Sequence, residues 1–275
     1  MTIDGLLALH TYRDGPPARM PLVLLHGFPL DHRMWDDVVH LLPGERTVVA
    51  PDLPGLGSSP SGEDVAGALG APSEPSLDVA ADAVAATLRA AGIERAAIAG
   101  LSMGGYVAMA LVERHRDLVA GLGLLDTKST ADDDAARANR LRIADTVVAE
   151  GEVAAVLGMR RALLGETNRV ARPDLVDRLE QWIRSQGPVG VAWSQRAMAA
   201  RPDRTSVLAR FTGPALVLVG AEDDVTPPSA ARHLAQALPA AEVVVVPRAG
   251  HMTSIEEPEP VAAALDRLAL RADGS

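Results

Sequence analysis

Six short apolar runs recur along the chain, at Leu22–Leu25, Thr47–Ala50, Ala96–Ala99, Leu122–Leu125, Ala215–Val219 and Val243–Val246. A run of this length with no polar alternation suits a strand covered on both faces, as in a parallel sheet. Longer windows with helical spacing lie between the runs. Met34, Trp35, Val38, Val39 and Leu42 make one apolar stripe, and Val261, Ala264, Leu265 and Leu268 make another. Val79, Ala83, Ala86 and Leu88 form a third window, and Val107, Ala110, Leu111 and Val119 a fourth. Strand–helix alternation predicts an α/β fold with a mostly parallel, doubly wound sheet and right-handed crossovers. Gly5–Tyr12 is expected to add an antiparallel edge strand. The 275 residues fit a single α/β domain, since such domains commonly reach about 250 residues. No internal repeat is found.

Two stretches break the rhythm. Leu53–Ser76 carries Pro54, Pro60, Pro72 and Pro75 together with glycines, and reads as one long connection. Thr127–Thr212 contains no convincing strand and reads as about four helices. Pro173 and Pro188 sit where each would open a helix, and Arg201-Pro202 where one would end. Leu175, Leu179, Trp182 and Ile183 share one helical face. The expected organisation is a core made of residues 1–126 and 213–275, with 127–212 inserted as a helical cap. A cap there covers the C-terminal edge of the sheet, where ligands bind in open α/β folds.

Composition narrows the function. There are no cysteines, which excludes disulfide scaffolds, thiolate metal sites and cysteine nucleophiles. Basic residues number 26 against 36 acidic ones, and aromatics make up 3%. Neither a basic face nor a stacking platform for nucleic acid is expected. No apolar stretch approaches the roughly 18 residues of a membrane span, and no signal peptide is read at the N-terminus. The expectation is a cytoplasmic protein acting on a small molecule. Lys128 is the single lysine, so a mechanism needing one would have to use it.

Gly100-Leu101-Ser102-Met103-Gly104 follows one apolar run and precedes a helical window. A serine at such a sharp strand-to-helix turn projects its Oγ from the sheet edge, and glycines two positions away avoid a clash. His26-Gly27-Phe28-Pro29 follows the first run. The N–H groups of Phe28 and Met103 are then expected to face the oxygen of a carbonyl attacked by Ser102. His26 reads as a residue bracing the turn. Of the seven histidines, only His251 follows a late strand on a glycine-containing loop, so it is the expected base. A carboxylate must orient it. Asp223, in Gly220-Ala221-Glu222-Asp223-Asp224, is preferred, and Asp126 at the end of an earlier strand is the rival.

With these residues placed, the chain resembles the α/β-hydrolase fold family. Ser102, Asp223 and His251 follow its Ser…Asp…His order. Pro51-Asp52-Leu53-Pro54-Gly55-Leu56-Gly57-Ser58 and Ala249-Gly250-His251-Met252 extend the likeness. Met103-Gly104-Gly105-Tyr106-Val107-Ala108 and Ala197-Met198-Ala199-Ala200-Arg201-Pro202-Asp203 look most like bacterial carboxylesterases and 3-oxoadipate enol-lactonases. The resemblance implies a serine hydrolase of carboxylic esters or lactones with no metal or organic cofactor. Relatives with an aspartate nucleophile are disfavoured by Ser102, and lyases with a lysine after the histidine by Met252. Perhydrolases and carbon–carbon bond hydrolases share the triad, and a ligand receptor with a vestigial triad is the alternative of another class. Trp182, Trp193 and Met198 are candidates for a substrate pocket, with core packing as the competing role. Arg160 and Arg161 could meet a substrate carboxylate or form a solvated face.

Overall fold

Each of the six apolar runs forms a strand in the computed structural model, which describes residues 6–238 and 240–274. The strands are β2 (Leu22–Leu25), β3 (Val48–Pro51), β4 (Ala96–Leu101), β5 (Val119–Leu125), β6 (Ala215–Gly220) and β7 (Ala241–Val246). An edge strand, β1 (Leu9–Arg13), pairs antiparallel with β3. It overlaps the expected segment at Leu9–Tyr12 and runs one residue beyond it, and Gly5 lies outside the described residues. The sheet order is β1-β3-β2-β4-β5-β6-β7, and all pairs beyond β1 are parallel.

β2 to β6 are buried at every position. Each fully covered Leu or Val side chain there contributes about 1.5–3 kcal/mol. β7 differs, because it is the last strand of the sheet. Val243 and Val245 are about half exposed, so its apolar run is covered on one face only. An apolar run alone does not distinguish that case from a central strand.

The Leu53–Ser76 connection is not structureless. It contains a helix, Gly62–Leu69, which corrects the sequence reading. Ser61 Oγ accepts from the N–H of Asp64, Glu63 and Asp64 sit in the first turn, and Gly70 ends the helix in the left-handed region. The flanking prolines masked these capping signals. Between β5 and β6 there are seven helical segments rather than four. The longest are Asp134–Glu150, Pro173–Arg184 and Pro188–Ala200, and three of the others are only four residues long. Pro173 and Pro188 do open their helices, and Arg201 does cap the last of the three. Asp134–Glu150 packs along Pro188–Ala200. No helix among the described residues is long and apolar enough to cross a membrane.

Candidate active site

Ser102 stands between β4 and the helix Met103–Arg114, with φ 54° and ψ −112°. Holding a non-glycine residue there costs about 1–3 kcal/mol and requires support on all sides. The Ser102 N–H donates to Leu125 O (2.9 Å), and the Ser102 carbonyl accepts from Thr127 Oγ1 (2.8 Å) and Gly105 N (3.0 Å). The turn closes so tightly that a Cβ on Gly104 would collide with the carbonyl of Leu25. Glycine is the residue that lets the helix start against β2.

His251 reaches Ser102 from the loop after β7. Its Nε2 lies 2.8 Å from Ser102 Oγ, and its Nδ1 lies 2.8 Å from Asp223 Oδ2. A proton on Nδ1 donates to the carboxylate, which leaves Nε2 free to accept from the serine hydroxyl. Asp223 and His251 are both 2% exposed. Asp223 Oδ1 also accepts from Val225 N (2.8 Å) and Thr226 N (2.9 Å), and Oδ2 from Thr226 Oγ1 (2.8 Å). Burial pushes this carboxyl up, but His251 and the Thr226 donors outweigh that effect and hold it below the usual carboxylate range.

Asp126, the rival acid, faces elsewhere. Its Oδ1 accepts from Gly220 N at 2.9 Å, and its Oδ2 pairs with Thr253 Oγ1. Complete burial and the nearby negative charge of Asp223 raise its pKa well above the usual range. It therefore ties the ends of β5 and β6 to the His251 loop. Glu222 bonds Thr167 N (2.8 Å) and Thr167 Oγ1 (2.6 Å), away from the histidine.

The loop after β2 lies against the serine. A Cβ on Gly27 would meet Ser102 Cβ at 3.5 Å, and the next residue, Phe28, is 5% exposed. Met103 is the first residue of its helix, where N–H groups lack intrahelical acceptors and favour negative charge. His26 braces the turn: its Nδ1 lies 3.1 Å from Gly27 O, and its Nε2 accepts from Leu53 N at 2.8 Å. Burial lowers its pKa, consistent with a neutral ring.

The three pocket candidates in the insertion have different neighbours. The guanidinium groups of Arg33 and Arg178 lie over the Trp182 ring, 5.9 and 5.7 Å from its centroid. Trp193 is buried against Gly62, whose missing Cβ leaves room for the indole. Met198 is buried with its sulfur 3.4 Å from Arg140 Nη1. Arg160 pairs with Glu180 at 2.8 Å. Among the described residues, His10, His32 and Asp52 bring metal-ligand types together. The two rings stack at 3.4 Å with 12° between their planes, and each offers a nitrogen to a different Asp52 oxygen at 2.9 Å. Near-parallel stacked rings do not aim their lone pairs at one point, so the trio reads as a hydrogen-bonded cluster that also receives Ser58 N at 2.8 Å.

Sequence reasoning missed Thr226 and Thr253, which complete the surroundings of Asp223 and Asp126. Thr226 carried a local signal: an Asp at a turn accepts from the backbone N–H two residues on, here Val225 N, which brings the next residue, Thr226, against the same carboxylate.

The chain matches the family model for the alpha/beta hydrolase fold over residues 20–258. It is 30% identical over 269 residues to a pimeloyl-[acyl-carrier protein] methyl ester esterase of Neisseria meningitidis, covering 90% of this chain and 93% of that one. It is 34% identical over 264 residues to a dihydrolipoyllysine-residue acetyltransferase component of the acetoin cleaving system of Pseudomonas putida. That match covers 92% of this chain but spans only 64% of the relative. A thermophilic esterase from Thermogutta terrifontis, solved with malate bound, superposes with TM-score 0.88 at 35% identity, covering 97% of this chain and 94% of that one. The enol-lactonase from Burkholderia xenovorans LB400 gives 0.81 at 25% identity, covering 94% and 95%. The family match runs from the start of β2 past the His251 loop, and so includes the sheet, the strained serine turn and the histidine together: the chain belongs to the alpha/beta hydrolase fold family.

Proposed function

We propose that this protein is a serine hydrolase that cleaves small carboxylic esters or lactones through an acyl-enzyme. The observation that carries this reading is the unbroken line Ser102 Oγ–His251 Nε2 and His251 Nδ1–Asp223, at 2.8 Å each. Ser102 Oγ attacks the acyl carbon while its proton passes to His251 Nε2. Asp223 stabilises the imidazolium and fixes the ring's tautomer. Negative charge collects on the former carbonyl oxygen, where the N–H groups of Phe28 and Met103 act as donors, an effect worth several kcal/mol. The C–O bond breaks, and His251 returns the proton to the leaving alcohol, which stays tethered when the substrate is a lactone. Water then gives a proton to His251 and its oxygen to the acyl carbon, releasing the acid and restoring Ser102. The esterase and lactonase names among the relatives support the ester bond as target, and the insertion 127–212 is read as the cap over this site.

The experiment is intact-mass analysis after incubation with a small fluorophosphonate, followed by peptide mapping. A single adduct on Ser102, absent in Ser102→Ala, is the expected result. A folded protein that takes no adduct and hydrolyses neither esters nor lactones would overturn the proposal and favour a ligand receptor.

A further inference from the structure

Glu256 lies five residues after His251, is 3% exposed, and has no task in the cycle above. Its two oxygens serve two different parts of the chain. Oε1 accepts from Gly250 N (2.9 Å) and Met252 N (3.2 Å), the residues on either side of His251. Oε2 accepts from Gly165 N (2.9 Å) and Asn168 Nδ2 (3.2 Å), both in the helical insertion. Two further bonds reinforce the joint: His251 N donates to Leu163 O (3.0 Å), and Asn168 Nδ2 to Arg248 O (2.7 Å). The two backbones come so close that a Cβ on Gly250 would meet Leu164 C at 2.7 Å.

All four partners of Glu256 are N–H donors. A group surrounded in this way serves as an ionised carboxylate, because a protonated oxygen would turn its own hydrogen against one of them. Burial works against that charge and pushes the carboxyl above its usual range. Other titratable groups near it are Asp126, Glu222 beyond Gly165, and Arg248, which pairs with Glu257 at 3.2 Å.

We propose that Glu256 is a positioning residue that sets the backbone on both sides of His251 and ties it to residues 163–168 of the insertion. Seating the insertion and placing the base then become one event. The inference rests on the reading of His251 as the base. A base displaced by about 1 Å loses on the order of 10²-fold in rate.

The test uses the full chain and counts competent serines by fluorophosphonate titration, so that rates are expressed per labelled Ser102. In Glu256→Gln the amide oxygen can keep one pair of donors, and its NH2 must face the other pair. The expected result is a 10- to 100-fold fall in kcat and in labelling rate per competent serine, with KM changed far less. Removing a negative charge beside the loop makes the imidazolium costlier, so the acid limb of kcat/KM moves to lower pH. Glu256→Asp keeps the charge and restores the limb. A lower Tm and fewer competent serines, with rate per serine and pH profile unchanged, would show a merely structural role and overturn the proposal. Asn168→Ala cuts the joint from the insertion side, and it supplies the same comparison if the Gln variant does not fold. A wild-type chain that takes no label would fail the serine-hydrolase reading instead, which keeps the two failures apart.

Discussion

Exchanging the two buried aspartates for asparagine, one at a time, separates their roles. In Asp223→Asn, the amide oxygen can keep the bonds now made by Val225 N and Thr226 N at 2.8 and 2.9 Å. The NH2 then faces His251 Nδ1, which sits 2.8 Å from the present oxygen, and the ring can accept only by moving its proton to Nε2. That proton points at Ser102 Oγ and removes the acceptor the serine needs. The imidazolium formed during attack also loses its counter-charge. Together these effects are worth about 10⁴-fold in kcat, or roughly 5.4 kcal/mol of barrier. In Asp126→Asn the same chemical change is mild. Its carboxyl is pushed strongly toward the neutral form, and asparagine is nearly isosteric with a neutral acid. The amide oxygen accepts from Gly220 N, and the NH2 donates to Thr253 Oγ1, so both bonds survive with one direction reversed. A fall below about 3-fold is expected. Hydrolysis of a chromogenic short-chain ester, with rates set against Ser102 labelling and Tm, measures both. If Asp126→Asn proves the more damaging change in a folded protein, the assignment of the acid is refuted.

Ser102→Ala should lower kcat by at least about 10³-fold and leave the protein folded, with circular dichroism as the control for folding. Asp126 also carries a signature in stability. The folded state holds its proton more tightly than the unfolded chain does, so wild-type stability from this group falls as pH rises above the unfolded carboxylate value near 3.8. The Tm of Asp126→Asn minus that of wild type should therefore grow as pH is raised, and a difference that shrinks would contradict the assigned shift. Asp132 behaves in the opposite sense. Arg201 and Arg140 hold it as a carboxylate well below the usual range despite burial, and its pairing with Arg201 is at 2.6 Å with both side chains 2% exposed. Asp132→Asn should cost about 3 kcal/mol at neutral pH in urea unfolding, with the difference fading as pH falls below the unfolded carboxylate value.

The fold was legible because its strands are short, wholly apolar and separated by helical windows. The residues that bend the chain were legible because their chemistry is unusual. Ser102 could be placed from its flanking glycines together with the apolar run before it and the helical window after it, and a helix starting against the Leu25 carbonyl tolerates no side chain at Gly104. His251 could be picked from seven candidates because the others fall on helices, on an edge strand or in the His26 turn. What stayed hidden has a common physical origin. The Gly62–Leu69 helix is held by Ser61 and Gly70 inside a proline-rich stretch, so local caps overrode what composition suggested. By sequence, Trp182, Trp193 and Met198 are pocket candidates, yet each takes a partner far away in sequence: Arg33, Gly62 and Arg140. Glu256 reads as an ordinary acid near a helix start, and only the approach of Gly165 to Gly250 across the fold gives it four donors. Motifs therefore report residues whose constraint is local, such as a strained serine or a glycine that avoids a carbonyl. Groups that act through long-range contacts leave no pattern of their own. In this chain, the carboxylate that joins the insertion to the base belongs to that second kind, which is why its role has to be tested by rate per competent serine rather than inferred from the motif beside it.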